Sequence, residues 1–215
     1  GIIRGTEFPD EYVMSGAHLD AFDVASGGVD DGSGVAPNLE AARIIALSGA
    51  KPKRSIMFTI WAAEEFGLLG SKKWVEQNMN NLDKISNYFN RDGGPTVPTG
   101  ITVTESMYED FVKICNAVNR VNPDFPFIVN KRQGEPRPRP VTAGGSDHAY
   151  FAMYGVPVMN FNLEDKKGYN FNYQEIWHTE RDMFNKSIKE YEDHTAVVMA
   201  VVYYGLANLD HLLSR

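Results

Sequence analysis

The sequence predicts an α/β fold, a sandwich with a mostly parallel or mixed central sheet. Apolar strand patterns alternate with helical ones along nearly the whole chain. Residues 55–63 form an almost unbroken apolar run, as expected of a strand buried on both faces. Acids and histidines cluster just after strands, and ligands in such sheets bind outside the strands' carboxyl ends.

Residues 12–17 read as a strand with His18 at its end, followed by a Gly- and Asp-rich loop over 19–33. Helical spacing of Val35, Leu39, Ala42, Ile45 and Ala46 predicts a helix over 34–47, stopping near Gly49. After the strand at 55–63 come a helix over 66–78, a strand over 84–90, a β segment over 99–104, a helix over 105–121 and a strand over 125–130. Residues 131–140, KRQGEPRPRP, form a loop because three prolines exclude regular structure. A short helix over 146–154 and a strand over 156–161 precede a long aromatic loop, 162–181. A terminal helix covers 187–213. No repeat or second domain is visible, so residues 1–215 are expected to be one catalytic domain.

A length of 215 residues with 43% hydrophobic content suffices for one sizeable core. The net charge of -7 argues against a nucleic-acid surface. No apolar run is long enough to span a membrane. The single Cys115 lies in an apolar helical pattern and reads as packing.

Five islands carry the chemistry: His18-Leu-Asp20, Asp30-Asp31-Gly-Ser-Gly34, Glu64-Glu65, Asp92 and His178. Each has an ordinary reading. His18 can be structural, Asp30-Asp31 an Asx turn with a helix cap, one of the two Glu a charge at a helix start, Asp92 a turn residue and His178 an exposed loop residue. Together they supply imidazole and carboxylate donors without thiolate, which suits a catalytic two-zinc site. Two adjacent Glu fit two roles, Glu65 toward a metal and Glu64 toward water as general base. Asp20, two residues from His18, is placed to accept from its second ring nitrogen. Asp182, four residues after His178, is expected to be an outer partner of that histidine.

The segments HLDAFDV, GGVDDGSG, FTIWAAEEFGLLGSKKW, NRDGG, GGSDHAYFAMYGVPV and WHTERD, in this order, resemble the M28 family of metallopeptidases. The likeness covers about residues 10–205 and is nearest its carboxypeptidase Q (plasma glutamate carboxypeptidase) branch, through HLDAFDVASGGVDDGSG and PTGI at 98–101. The resemblance implies a three-layer α/β/α sandwich holding two zinc ions. It implies that Asp30 bridges them, that His18 and Asp92 complete one position and Glu65 and His178 the other, with Glu64 as base and Asp20 behind His18. It further implies a small peptide as substrate and an extracytoplasmic, periplasmic or secreted, location. Two alternatives share the fold: a non-catalytic binding domain and a one-zinc glutaminyl cyclase.

Two departures from the family pattern stand out. A tyrosine that several members place before the last histidine, or before the SDH motif, is replaced by Trp177 and Gly144, leaving oxyanion stabilisation to the metals, His148 or another residue. Only 17 residues precede His18, so edge elements are expected to be missing, to be supplied by an N-terminal extension. For substrate recognition, the plainer reading of the cations at 131–140 is a solvated loop; if the loop covers the cleft, Arg137 and Arg139 would grip a free carboxylate. Alternatively, Asp147 or a site acid holds a free amine.

Overall fold

The computed structural model of the chain describes residues 1–134 and 138–215. Its strands form two sheets. The larger contains β1 (Ile2–Ile3), β2 (Phe8–His18), β3 (Arg54–Trp61), β4 (Ile85–Asn90) and β7 (Val158–Met159), in the order β1-β3-β2-β4-β7. The smaller contains β5 (Val97–Val103), β6 (Ile128–Lys131) and β8 (Phe161–Glu164), in the order β6-β5-β8. In the larger sheet β3, β2, β4 and β7 run parallel, and only the edge strand β1 is antiparallel. The residues ahead of β2 therefore do supply one edge element.

Helices cover both faces. On one side α1 (Gly32–Leu47), α3 (Tyr108–Val121) and α5 (Lys189–Ala207) enclose the main core around Val13, Ile56, Phe89, Phe111 and Tyr203. Cys115 lies in this core, where burial pushes its thiol up to about 12. On the other side α2 (Leu69–Gln77) and α4 (His148–Met153) pack over Met14, Trp61, Tyr88 and Phe151. Every residue of β4 is buried, as its place inside a covered parallel sheet demands. Its polar side chains are partly paired there: Trp61 Nε1 donates to the Tyr88 hydroxyl at 2.8 Å, and Asn90 Nδ2 to Ser146 Oγ at 2.9 Å.

Three expectations change. The strand at 156–161 is divided between the two sheets, with β7 ending at Met159 and β8 beginning at Phe161. The helix expected from residue 66 starts at Leu69, because the chain first turns at Glu64–Leu68, where Gly67 N and Leu68 N both donate to the Glu64 carbonyl. The terminal helix ends at Ala207.

One buried acid outside the cleft sets a pH dependence. Glu192, in the first turn of α5, has both carboxyl oxygens buried without a hydrogen-bond partner. Burial pushes its pKa up from 4.5 to about 8, with Arg91 opposing and Asp193 adding to the shift. A carboxyl that holds its proton more tightly when folded stabilises the fold below its unfolded pKa, and that contribution is lost as pH rises through 4.5 to 8. Glu192→Gln is therefore expected to be more stable than the unsubstituted chain at pH 8, by up to about 4 kcal/mol, with the difference vanishing below pH 4.5. Denaturant unfolding across that range measures it, and a pH-independent difference refutes it.

Candidate active site

Parallel pairing of β3, β2 and β4 brings their carboxyl ends to one edge, and the residues that follow them meet there. His18 is the last residue of β2 and is 1% exposed. Its Nδ1 lies 2.9 Å from the Asp20 carbonyl, which can only accept, so Nδ1 carries the proton and Nε2 faces the acids. Nε2 is 3.2 Å from Asp30 Oδ1 and 3.8 Å from Asp92 Oδ1. Across the site, His178 Nε2 is 2.9 Å from Glu65 Oε2 and 3.8 Å from Asp30 Oδ2. The two oxygens of Asp30 thus face two different donor groups, His18 with Asp92 and Glu65 with His178, each compact enough to hold one cation.

The backbone is shaped to deliver these groups. Asp31 stands at the start of α1 but does not cap it; its carboxylate accepts the His18 N–H at 3.1 Å. The Asp30–Asp31 peptide bond is cis. Gly34 is required beneath, since a Cβ there would fall 2.1 Å from the Arg91 carbonyl and 2.3 Å from Asp31 Oδ1. Asp182 is buried and accepts the N–H groups of Val29 at 2.7 Å and Asp30 at 3.1 Å. It orients the loop carrying Asp30 rather than the His178 ring. Ala63, Leu68 and His178 all adopt left-handed backbone, with φ of 59°, 60° and 57°, a strained conformation for non-glycine residues that concentrates at functional sites.

The donor set fits a divalent metal. Glu65 Oε1 and Asp31 Oδ1 are buried with no hydrogen-bond partner. Burial disfavours charge on His18, yet Asp30, Asp92 and Asp31 overcome it and raise its pKa to about 12. Carboxylates that hold a proton so tightly would hold a cation in its place. Burial, with Asp92 next, pushes Glu64 up to about 8.

The site opens into a cavity of about 570 Å³, lined by Glu64, His148, Asn160, Tyr173, Gln174 and Trp177 among others. Burial keeps His148 below its usual pKa and so neutral at pH 7. Tyr173 is a residue the sequence reading missed: it lines the same cavity wall as Asp30, and burial, followed by the charges of Asp30 and Asp92, raises its pKa. A larger open hollow of about 830 Å³ is lined by Lys167, Tyr169, Ile176 and Glu190 among others, and by none of the paired donor groups.

Three expected contacts are not made as anticipated. The Asp20 carboxylate does not take the His18 ring proton; it accepts the N–H groups of Glu64 at 3.1 Å and Glu65 at 3.2 Å, and the Asp20 carbonyl serves His18. Asp147 is 1% exposed and does not line the cavity, because its carboxyl turns inward, where burial raises its pKa to about 6. Arg139 does not reach the cleft either. Its guanidinium rests against Gly155, beyond the far end of α4, while Lys131 pairs with Glu105 at 2.6 Å. Arg137 lies outside the described residues. Trp177 and His148, by contrast, do line the cavity.

A covered, largely parallel sheet that gathers histidine and carboxylate donors at its strand ends defines a class of α/β domains built around a candidate metal centre. Within that class the chain belongs to peptidase family M28, whose sequence model matches residues 1–202. It is 29% identical to mouse carboxypeptidase Q over 99% of this chain and 42% of that protein. It is 37% identical to a glutamate carboxypeptidase 2 homolog of Caenorhabditis elegans over 77% of this chain and 24% of that protein. Among solved structures, a peptidase M28 precursor from Shewanella amazonensis superposes with a TM-score of 0.80 at 28% identity, covering 100% of this chain and 45% of that one. A zinc aminopeptidase from Bacillus subtilis shares the fold, with a TM-score of 0.67 at 24% identity over 94% of this chain and 48% of that one. The chain thus spans less than half the length of these relatives.

Proposed function

We propose that this chain forms the catalytic domain of a two-zinc exopeptidase that hydrolyses dipeptides or short peptides. The observation that carries the reading is Asp30, whose two oxygens face separate histidine-and-carboxylate groups. His18 and Asp92 would hold one ion and Glu65 and His178 the other. Bound there, two zinc ions would polarise the scissile carbonyl and make water nucleophilic at neutral pH. Glu64, on the cavity wall, takes the proton of the attacking water and passes it to the leaving amine. The Tyr173 hydroxyl and the neutral His148 ring, both on the cavity wall, would donate to the developing oxyanion. Tyr173→Phe is expected to lower kcat by about 10²–10³-fold with little change in KM. A proportional rise in KM instead assigns Tyr173 to substrate binding.

The cavity wall offers no described cation to a free carboxylate, which favours recognition of a free amine. Its charged residues among those described are the acids Asp30, Glu64, Glu65 and Asp92, with no Lys or Arg. With Asp147 buried, Glu64, the one wall acid that is not a proposed zinc ligand, is left to face the amine, and the reading becomes an aminopeptidase or dipeptidase. The test combines zinc content with release of free amino acids from dipeptides, their C-terminal amides and their N-acetyl forms. Dipeptides and amides are expected to be cleaved alike and N-acetyl forms to resist. Loss of cleavage on amidation points back to carboxylate capture, with Arg137→Ala then expected to raise KM for dipeptides. One zinc equivalent and cyclisation of N-terminal glutamine would replace this reading with the cyclase alternative. The extracytoplasmic placement rests on the family alone; among the described residues no helix is long and apolar enough to cross a membrane.

A further inference from the structure

The two histidines of the site are held in different ways. His18 is buried, and its outer ring nitrogen is fixed by the Asp20 carbonyl at 2.9 Å. A metal-binding histidine nearly always has such an acceptor, which sets the tautomer and the plane of the ring. Among the described residues His178 has none: its contacts to protein acceptors are all made through Nε2, to Glu65 and Asp30. Its side chain is 30% exposed and sits on a loop. Something else must define the plane of this imidazole.

That element is Phe22. Its ring lies 4.2 Å from the His178 ring with an interplanar angle of 6°, a face-to-face stack. Trp177 also touches His178, at 4.2 Å but tilted by 34°. As the preceding residue, half exposed and on the cavity wall, Trp177 moves with the same loop and cannot anchor it. Phe22 comes from a different part of the chain; it is 36% exposed, but the backbone that carries it is held. The Ala25 N–H donates to the Phe22 carbonyl at 2.8 Å, and Ser26 Oγ donates to the Asp182 carbonyl at 2.8 Å, tying the Phe22 loop to the turn after His178. Gly28 permits this close approach, since a Cβ there would fall 2.1 Å from the Met183 backbone.

We propose that Phe22 is a positioning residue for His178, its ring fixing the imidazole so that Nε2 faces Glu65 and Asp30, and that it thereby sets zinc affinity at that one position. The inference rests on the reading that His178 is a metal ligand. One half of the site takes its geometry from a backbone carbonyl and the other from an aromatic stack.

The test is Zn²⁺ binding to the metal-free protein, by competition with a chromophoric chelator, for the unsubstituted chain and for Phe22→Ala, Phe22→Leu, Phe22→Tyr, His178→Ala and His18→Ala. Phe22→Ala and Phe22→Leu are expected to weaken, by about 10–100-fold, the same equivalent that His178→Ala removes. They leave the equivalent that His18→Ala removes, and Phe22→Tyr, which keeps the ring, binds as the unsubstituted chain does. Leucine retains apolar bulk without a ring face, so it separates stacking from filling of the loop. Unchanged affinity in Phe22→Ala, equal weakening of both equivalents, or a Phe22→Tyr as weak as Phe22→Leu overturns the proposal. The stoichiometry of the unsubstituted chain tests the two-ion reading separately, because Phe22→Ala and His178→Ala are compared with each other whether one equivalent binds or two.

Discussion

Glu64→Gln is expected to lower kcat by about 10²–10⁴-fold while zinc stays bound. Glu64 and Glu65 are adjacent, yet the turn separates their tasks. The Asp20 carboxylate grips both backbone N–H groups, at 3.1 and 3.2 Å, so the turn is fixed before any substrate arrives. Glu65 then points at His178, 2.9 Å away, and Glu64 belongs to neither donor group while lining the cavity. Glutamine keeps the shape of Glu64 and removes its capacity to accept a proton. Glu65→Ala removes a donor, and its loss of activity should follow loss of zinc. Measuring kcat and zinc content on the same samples decides the matter. Equal zinc loss in Glu64→Gln and Glu65→Ala would reverse the assignment.

Asp30→Ala is expected to empty both positions, because Asp30 is the one residue shared by the two donor groups. Each position loses a direct donor, so affinity at each should fall further than the ~10–100-fold cost typical of an outer partner. Asp92→Ala should affect only the His18 side, and His178→Ala only the Glu65 side. Elemental analysis after gel filtration gives the count. An Asp30→Ala protein that keeps one equivalent at unaltered affinity would show that Asp30 serves a single ion.

The residues now seen together were readable in the sequence because a parallel sheet converts position along a strand into position in space. His18 ends β2, Glu64 and Glu65 follow β3, and Asp92 follows β4, so recognising three apolar strands was enough to bring them to one edge. His178 came into view through its WHTERD segment. The direction in which side chains turn was not readable. Asp20 stands two residues from His18, and that spacing suggests a shared face, but the chain turns after His18 and presents the carbonyl instead. Asp147 sits next to a residue of the cavity wall and still points inward. Tyr173 is one aromatic residue in a long polar and aromatic loop, and no local period distinguishes it. The apolar run at 156–161 gave no sign that two sheets divide it at Asn160, because strand periodicity does not report which neighbour a strand pairs with.

The Asp182 carboxylate, which fastens the N–H groups of Val29 and Asp30, also bears on the order in which the site is assembled. His18, Asp30, Glu65 and Asp92 all leave the ribosome well ahead of His178 and Asp182. A nascent chain stopped between Asp92 and His178 therefore holds four of the five donors, while the loop bearing Asp30 still lacks the anchor that aims it. The last donor and the anchor are synthesised together, on one turn. Completion of that turn joins the arrival of His178 to the anchoring of the loop that carries Asp30, so on the two-ion reading both halves of the donor set are completed in one step of synthesis.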